Sequence, residues 1–331
     1  MVLVVGGAGY IGSHMLKLLR YANEPHVVFD NLENGHAAAL QGSTLMTGDL
    51  RNPVEIDAAF DRNPQIDTVI DFAAYISVGE SVREPNKYYR NNAFGTLNLL
   101  ESMRNHGVDK IVFSSTAAVY GKPAYVPLDE DHPCLPINPY GWSKYFVEQM
   151  LEDYGRAHGF RSVCLRYFNA AGSDSDGVLG EDHDPEEHLI PNVLLAAMGV
   201  KPHLIVFGDD YETKDGTCVR DYIHVEDLAS AHLLAVRHLR EGGDSRRYNL
   251  GNGKGYSNKQ VIEAAEKVVG KSIPHVYEGR RPGDSPELVA DSSRIQSEWG
   301  WKPKHPDLEE IVRHAWNWRL RHPDGFTDQV N

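Results

Sequence analysis

The 331-residue sequence has few cysteines, few basic residues and no long apolar run. Its three cysteines are too few and too scattered for a disulfide framework or a tetrahedral zinc site. The formal net charge of −14 excludes a general electrostatic attraction to nucleic acid or anionic lipid, because such binding needs clustered cations. No apolar run approaches the ~20 residues that span a bilayer, and the first residues do not resemble a signal peptide. We therefore expect a cytoplasmic protein that binds neither nucleic acid nor membrane.

Short apolar runs alternate with longer amphipathic segments through the first half of the chain. The apolar runs predict strands at Val2–Val5, His26–Phe29, Thr44–Met46, Asp67–Phe72, Lys110–Ser114 and Ser162–Phe168. The amphipathic segments predict helices at Ile11–Ala22, Pro53–Arg62, Asn86–Asn105 and Pro139–His158. Because this alternation is typical of βαβ units, we predict an α/β fold with a Rossmann-type, doubly wound parallel sheet.

The pattern changes after about Asn169, where glycine, proline and acidic residues gather in long loops. We predict that residues 1–169 form the Rossmann domain and that residues 170–331 mostly form a smaller C-terminal α/β domain. Regular segments within about 225–250 predict that the chain returns to the first domain, so the boundary is discontinuous.

A glycine-rich loop, Gly6-Gly-Ala-Gly-Tyr-Ile-Gly12, follows the first predicted strand and opens the first predicted helix. Such glycines permit a tight turn and let the backbone approach a pyrophosphate at the helix N-terminus. Asp30, after the second strand, can accept hydrogen bonds from an adenosine ribose and would repel the 2′-phosphate of NADP. No arginine lies nearby in sequence to bind that phosphate, so we predict NAD as the cofactor. Asp49 suits a contact with the adenine, or is simply an acidic residue of a turn.

Tyr140 and Lys144 form a Tyr-x-x-x-Lys pair on the helix predicted after the fifth strand. Residues four apart share one helix face. A phenol with a pKa of ~10 is a poor base at neutral pH, and we expect the Lys144 cation to lower that pKa. Thr116 follows the fifth strand and is placed to share a hydrogen bond with a substrate hydroxyl. The pattern favours proton transfer beside a nicotinamide over a pair that merely packs along a surface helix.

These residues resemble the extended short-chain dehydrogenase/reductase superfamily, and five further segments resemble its UDP-glucose 4-epimerase family. The segments run in order along nearly the whole chain: Phe72–Ser81, Leu165–Asn169, Gly180–His183, Gly216–Val225 and Arg280–Asp284. The resemblance implies that UDP-glucose and UDP-galactose are interconverted through a 4-keto sugar, with NAD bound throughout. It implies that Tyr140 is the acid/base, that Lys144 bonds the nicotinamide ribose and that Thr116 replaces the usual serine.

The resemblance also implies two sets of binding residues. Those for NAD are Gly6, Gly9, Tyr10, Ile11, Gly12, Asp30, Asn31, Asp49, Leu50, Phe72, Ala73, Ala74, Asn91, Tyr140, Lys144 and Phe168. Those for the UDP-sugar are Thr116, Asn169, Leu189, Phe207, Arg220, Arg281, Asp284 and Leu288. On this reading the first domain binds NAD and the second mostly binds the UDP-sugar, with two arginines supplying local cations for its diphosphate.

Two positions depart from the family pattern. Ile76 stands where some members carry a lysine near the nicotinamide amide, so that contact is missing or replaced. Leu288 stands where members often carry a tyrosine beside the sugar's 2-substituent. Because leucine is smaller, we expect UDP-N-acetylhexosamines as possible additional substrates.

The family's dimer pairs two helices of each chain into a four-helix bundle, so the resemblance implies a homodimer through Asn86–Asn105 and Ser143–His158. These helices carry apolar residues at helical spacing, most of which we expect in the core: Leu97, Leu100, Phe146, Val147, Met150 and Leu151.

Other functions remain open to different degrees. A dehydratase would need an acid pair where this chain has Ala117 and Ala118, and a reductase would need added cofactor. A non-catalytic NAD-sensing protein would lack the Tyr–Lys pair, whereas a UDP-pentose or UDP-GlcNAc 4-epimerase stays possible. His183 and His188 lie among acidic residues without helical metal-ligand spacing, so we expect a solvated loop and no metal site.

Overall fold

The computed structural model describes residues 1–281 and 284–327. Within them the strands are β1 (Val2–Val5), β2 (His26–Asp30), β3 (Leu45–Thr47), β4 (Thr68–Asp71), β5 (Lys110–Thr116), β6 (Arg161–Tyr167), β7 (Asn169–Ala171), β8 (Leu204–Phe207), β9 (Val219–His224), β10 (Arg246–Leu250), β11 (Gly255–Ser257), β12 (His275–Glu278) and β13 (Glu287–Leu288). The α-helices are α1 (Tyr10–Tyr21), α2 (Pro53–Arg62), α3 (Val78–Arg83), α4 (Pro85–Tyr88), α5 (Thr96–Asn105), α6 (Pro139–His158), α7 (Leu189–Met198), α8 (Val225–Arg240), α9 (Asn258–Val269), α10 (Ser293–Trp299) and α11 (Leu308–Arg321). Short 3₁₀ helices span Ala37–Leu40 and Ala117–Tyr120.

Seven parallel strands form the large sheet in the order β10-β6-β5-β4-β1-β2-β3. Val2 of β1 pairs with His26 of β2 on one side and with Thr68 of β4 on the other. The strand order reverses between β1 and β4, and open parallel sheets form a ligand crevice outside the carboxyl ends at such a point. The predicted Rossmann-type sheet is confirmed, and the predicted strand ends differ from those observed by at most two residues.

Side chains of β1 alternate between two apolar cores. Val2 and Val4 face one core with residues of α1 and α8, whereas Leu3 and Val5 face the other with residues of α2, α5 and α6. All four are buried. Helices therefore cover both faces of the sheet, as expected for continuous apolar strands in a parallel sheet.

The later part of the chain adds two smaller sheets. Strand β9 pairs in parallel with β7 and β13 and antiparallel with β11, and β8 pairs with β12. A third apolar cluster joins α7, α9 and α11. Strand β10 is an edge strand of the large sheet, next to β6, so the chain does return there. The division into an NAD domain and a sugar domain stays a prediction.

The helix predicted over Asn86–Asn105 is not continuous. A π-helical segment, Tyr89–Gly95, separates α4 from α5. Its Asn92 side chain is buried, accepts a hydrogen bond from the Tyr75 amide at 2.9 Å and donates to the Tyr75 carbonyl at 3.0 Å. The wider turn accompanies this inward-facing amide, as π segments often do at functional sites.

Most of the apolar residues of these helices were predicted to lie in the core, and Phe146 is an exception. Leu100, Val147 and Leu151 are buried, whereas Phe146 is 43% exposed. Leu97 and Met150 lie between these extremes. Phe94 in the π-helical segment is also exposed, at 55%.

Among the described residues, none of the helices is long and apolar enough to cross a lipid bilayer.

Candidate active site

A cavity of about 840 Å³ opens at the carboxyl ends of the strands on either side of the reversal. Its wall contains twenty of the residues that the sequence predicts as binding or catalytic. They are Gly6, Gly9, Tyr10, Ile11, Gly12, Asp30, Asn31, Leu50, Phe72, Ala73, Ala74, Asn91, Thr116, Tyr140, Phe168, Asn169, Arg220, Arg281, Asp284 and Leu288. Segments far apart in sequence therefore meet at one edge of the sheet.

The glycine loop forms one end of this cavity. A Cβ built on Gly12 would lie 2.3 Å from the Gly6 carbonyl oxygen, so the loop and the start of α1 touch too closely for any side chain. Helix α1 begins after Gly9 with neither a side-chain cap nor an acidic residue in its first turn. The positive end of the helix is therefore available to an anion, and the loop fits the pyrophosphate of a dinucleotide.

Asp30 lies buried at the end of β2, beside this loop. Its two carboxylate oxygens accept hydrogen bonds from the Ala8 amide at 2.9 Å and the Leu32 amide at 2.8 Å. Burial raises the pKa of Asp30, and these two bonds oppose that effect. A carboxylate oxygen can accept more than one bond, so acceptor capacity remains for a ribose hydroxyl.

An arginine from beyond β3 approaches the loop that follows Asp30. Arg51 reaches the loop after Asp30 and contacts the Glu33 carboxylate at 3.0 Å and the Asp49 carboxylate at 2.5 Å. The Arg51 hydrogen bond is the main cause that lowers the pKa of Asp49 to about 2. Since two carboxylates already neutralise Arg51, it is poorly placed to bind a 2′-phosphate.

Thr116 and Tyr140 meet at the centre of the cavity wall. Thr116 ends β5, and its hydroxyl accepts a hydrogen bond from the Ala118 amide at 3.1 Å. Tyr140 stands in the first turn of α6, which Asn138 caps by accepting from the Gly141 amide at 2.8 Å. Burial raises the pKa of Tyr140, and a side-chain hydrogen bond with Thr116 lowers it.

Lys144 is buried behind this wall rather than on it. Its Nζ donates to the Ser114 carbonyl at 2.9 Å and lies 4.8 Å from the centre of the Phe113 ring. Burial lowers the pKa of Lys144 to about 8, and the charge of Asp71 opposes that shift. The expected lowering of the Tyr140 pKa by Lys144 is thus not met by the chain's own groups, because desolvation of the phenolate outweighs the other effects.

Asp71 is a buried acidic residue whose charge acts on Lys144 and which sequence reasoning missed. It ends β4, is buried, and accepts hydrogen bonds from the Ala73 amide at 3.0 Å and the Thr96 hydroxyl at 3.1 Å. Burial raises its pKa to about 6, and Lys144 acts in the opposite direction. A carboxylate at the end of an otherwise apolar strand was the available signal.

Two arginines and one carboxylate form the opposite end of the cavity. Arg281 contacts the Asp284 carboxylate at 3.1 and 3.2 Å, and Arg220 approaches it at 3.7 Å. Arg220 also donates to the Ser285 carbonyl at 2.8 Å, which holds its guanidinium in place. The group carries a net positive charge within an acidic protein. Pro282 and Gly283 of the predicted Arg280–Asp284 motif lie outside the described residues.

Four predicted site residues are not on the cavity wall: Lys144, Asp49, Leu189 and Phe207. Leu189 begins α7 directly after His188, which does line the cavity. Phe207 ends β8, and the guanidinium of Arg281 lies 5.8 Å from the centre of its ring. Ile76, at the position that departs from the family pattern, lines the cavity and is exposed.

The two histidines predicted to lie in a solvated loop differ in exposure, with 21% of the His183 side chain and 41% of the His188 side chain exposed. His183 and His188 converge with the buried carboxylates of Glu181 and Glu186, with all four ligand-type atoms within 4.8 Å of one another. The sequence did not predict this convergence, which arises because the loop folds back on the start of α7.

The fold and this wall define a dinucleotide-binding enzyme of the Rossmann class that has a tyrosine–lysine pair. Residues 2–251 match the NAD dependent epimerase/dehydratase family. The UDP-glucose 4-epimerase of Halalkalibacterium halodurans is 52% identical over 99% of this chain and 98% of its own length. The chain belongs to the NAD dependent epimerase/dehydratase family. This confirms the predicted family, cofactor and enzyme class.

Solved structures agree with this assignment. The UDP-glucose 4-epimerase of Brucella ovis in complex with NAD is 47% identical, with a TM-score of 0.92 over 95% of this chain and 97% of that one. The UDP-glucose 4-epimerase of Bifidobacterium longum in complex with NAD⁺ and UDP is 41% identical, with a TM-score of 0.94 over 98% of this chain and 99% of that one.

Proposed function

We propose that this protein is a UDP-glucose 4-epimerase that interconverts UDP-glucose and UDP-galactose through a 4-keto sugar, with NAD bound throughout turnover. One observation carries the proposal. A single cavity is lined by the glycine loop, by Tyr140 and by the Arg220–Arg281 group. This lining is proposed to hold a dinucleotide and a nucleotide sugar together, with the reacting carbon at the phenol.

The two residues after Thr116 favour an epimerase over a dehydratase. Elimination of water would require an acid pair directly after Thr116, and Ala117 and Ala118 stand there on the cavity wall. Without such acids, the residues at this point are equipped to move one proton to and from a hydroxyl.

Tyr140 is the proposed acid/base. Its phenol takes the proton of the sugar's 4-hydroxyl and later returns it, with Thr116 sharing a hydrogen bond in the transfer. When bound, NAD supplies the acceptor and donor of the C4 hydride and, when oxidised, a positive charge in the cavity. Lys144 keeps N–H groups beyond its bond to Ser114 and is proposed to bond the nicotinamide ribose. The burial of Tyr140 keeps water away from the transfer.

The nucleotide end is proposed to hold the substrate by its diphosphate. Arg220, Arg281 and Asp284 supply charge and hydrogen bonds there, and the Asn169 side chain and Leu189 backbone add contacts. Phe207 is proposed to lie beside the uracil. Since the keto sugar must present both faces in turn, binding energy is best placed on the nucleotide, remote from the reacting carbon.

Leu288 supports a second substrate class, the UDP-N-acetylhexosamines. It lies on β13 at the cavity wall and is only partly buried, against a small apolar cluster that includes Val119 and Leu128. A leucine leaves more room at this position than the tyrosine that the family often carries. We propose that the 2-acetamido group fits there.

We also propose a homodimer through α5, α6 and the π-helical segment, acting in the cytoplasm. The exposed rings of Phe94 and Phe146 on these segments support the dimer, since large apolar side chains gain by burial in an interface. Three free thiols in the described structure support a reducing compartment. Residues 1–169 and 225–250 are the proposed NAD domain and residues 170–331 mostly the sugar domain.

The test is turnover of UDP-galactose by purified protein with no cofactor added. We expect UDP-glucose as product, with deuterium placed at C4 retained in it. Tyr140→Phe should keep its bound NAD and lose about 10²–10⁴-fold in turnover. Tyr145→Phe on the same helix is the matched control and should remain active. Unchanged turnover in Tyr140→Phe, or loss of the deuterium to solvent, would refute the mechanism.

A further inference from the structure

Four side chains between the long loop after β7 and the start of α7 converge on one point. They are Glu181, His183, Glu186 and His188, and one ligand-type atom from each lies within 4.8 Å of all the others. The two carboxylate side chains are almost fully buried, with 6% and 5% of their surface exposed. The mechanism proposed above uses none of the four.

The converging atoms are buried, and their polar contacts are with one another. Glu181 Oε1, His183 Nδ1, Glu186 Oε2 and His188 Nδ1 have no well-aligned hydrogen-bond partner, although the histidine nitrogens lie 2.5–3.6 Å from the carboxylate oxygens. Two carboxylates held this close together need a shared positive charge, which a metal ion or protons on the imidazoles can supply. With the imidazoles neutral, all four atoms are electron-pair donors and can bind one metal cation together.

The spacing suits a small tetrahedral ion. Zinc lies about 2.0–2.2 Å from nitrogen and carboxylate ligands, which makes the edges of its tetrahedron about 3.4 Å. His183 Nδ1 lies 3.4 Å from Glu181 Oε1 and 3.6 Å from Glu186 Oε2, and His188 Nδ1 lies 3.5 Å from Glu186 Oε1. A fourth distance, 2.5 Å between His188 Nδ1 and Glu181 Oε1, would have to open by about 1 Å.

Charge also fits. Two carboxylates and two neutral imidazoles carry two negative charges, which one divalent cation neutralises. Protons bound to the histidines can also neutralise this charge. Burial lowers the pKa of His183, but the larger combined effect of Glu181 and Glu186 raises it to about 10. A metal ion therefore has to displace protons from the two histidines.

Neighbouring groups hold the ligands in place. Asn192 Nδ2 donates to the carbonyls of Glu186 at 3.1 Å and His188 at 2.8 Å. The ring of Tyr10, from the glycine loop, lies edge-on to the His183 ring with centroids 6.3 Å apart. The cluster thus joins the loop, α7 and the cavity wall.

We propose that Glu181, His183, Glu186 and His188 bind one divalent transition-metal cation of the zinc type, which clamps this loop to the start of α7. Four protein ligands complete a tetrahedron, and sites closed in this way are structural rather than catalytic. The ion would stabilise the segment that walls the cavity between the glycine loop and Leu189.

The test uses protein without a histidine tag, stripped with a chelator, loaded with Zn²⁺ and dialysed before its metal content is measured. We expect about one zinc per chain, and a Co²⁺-loaded sample with the strong visible absorption of tetrahedral cobalt. His183→Gln combined with His188→Gln should hold no zinc, whereas the exposed-site control His275→Gln should hold as much as the parent chain.

A thermal measurement keeps the proposal testable if the double variant folds poorly. The thermal midpoint of the parent chain should fall when the chelator removes the ion. The same treatment should lower the midpoint of the single variant Glu186→Gln much less. Absence of bound zinc in the loaded parent chain, or equal zinc in the double variant, would overturn the proposal and leave two proton-neutralised Glu–His pairs. These readouts do not depend on epimerase activity.

Discussion

The ion pair between Glu148 of α6 and Arg166 of β6 offers the sharpest test of how α6, which carries Tyr140, is held on the sheet. Arg166 donates twice to the carboxylate, from Nε at 2.9 Å and Nη2 at 2.5 Å. Ser115 donates to the same carboxylate at 2.5 Å, and Arg166 also donates to the Tyr120 hydroxyl at 3.1 Å. Both charged side chains are fully buried, about two helical turns from Tyr140.

Glu148→Gln keeps the shape of the side chain but removes its charge, which leaves the Arg166 guanidinium buried without a counter-charge. Breaking one partner of a buried pair costs about 3–5 kcal/mol. A chain of this length has an unfolding entropy of about 0.7 kcal/mol/K, so the thermal midpoint should fall by about 4–7 °C. The measurement is urea and thermal unfolding followed by circular dichroism.

Glu152→Gln is the matched control on the same helix. Glu152 is half-exposed and pairs with Arg247 at 2.7 Å, so its loss should cost less than about 1 kcal/mol. Replacing both Glu148 and Arg166 by methionine should recover at least half of the loss, because no charge is then left unpaired. A cost below about 1 kcal/mol for Glu148→Gln would refute this account of α6.

Three further results are expected. Gly12→Ala should lose most of its bound NAD, because the new Cβ would lie 2.3 Å from the Gly6 carbonyl oxygen. Gly279→Ala, whose Cβ would meet nothing within 4 Å, should retain its NAD. Equal retention of NAD by the two variants would contradict the loop packing. Burial lowers the pKa of His232 to about 4 against an ordinary 6.5, so the unfolded state binds more protons between these values and stability should fall by about 3 kcal/mol as the pH drops from 6.5 to 4. His232→Gln should flatten this part of a urea-unfolding pH profile, and an unchanged slope would contradict the assignment. Leu288→Tyr should lower turnover of UDP-GlcNAc at least about tenfold relative to UDP-galactose, and equal losses for both substrates would remove the proposed role of this position.

The Rossmann sheet and the dinucleotide loop were predictable because their signals are local. Apolar runs separated by amphipathic segments identify βαβ units. The glycine spacing from Gly6 to Gly12 identifies the dinucleotide loop within seven consecutive residues. Tyr140 and Lys144 were identified by a four-residue spacing on one helix. Family resemblance added the UDP-sugar residues, most of which lie on one cavity wall.

Contacts between distant segments were not predictable in this way. Arg51 reaches the loop after Asp30 because β2 and β3 are neighbours in the sheet. The sequence between residues 30 and 51 does not predict this contact. The charge of Asp71 acts on Lys144, and its strand β4 lies next to β5, whose Ser114 carbonyl accepts the Lys144 hydrogen bond. Sequence spacing gives no distance across a sheet, since the strand order decides which residues meet.

The Glu181–His188 cluster shows the same division. The residues were visible in the sequence, but the spacing lacked a helical metal pattern and favoured a solvated loop. The folded chain brings the loop back onto α7, buries two carboxylates and points two imidazoles at them. Local spacing thus determined the secondary structure, the glycine loop and the Tyr–Lys pair. Burial and the approach of distant segments set the pKa values, the ion pairs and the Glu181–His188 cluster, because desolvation and Coulomb energy depend on distances through space.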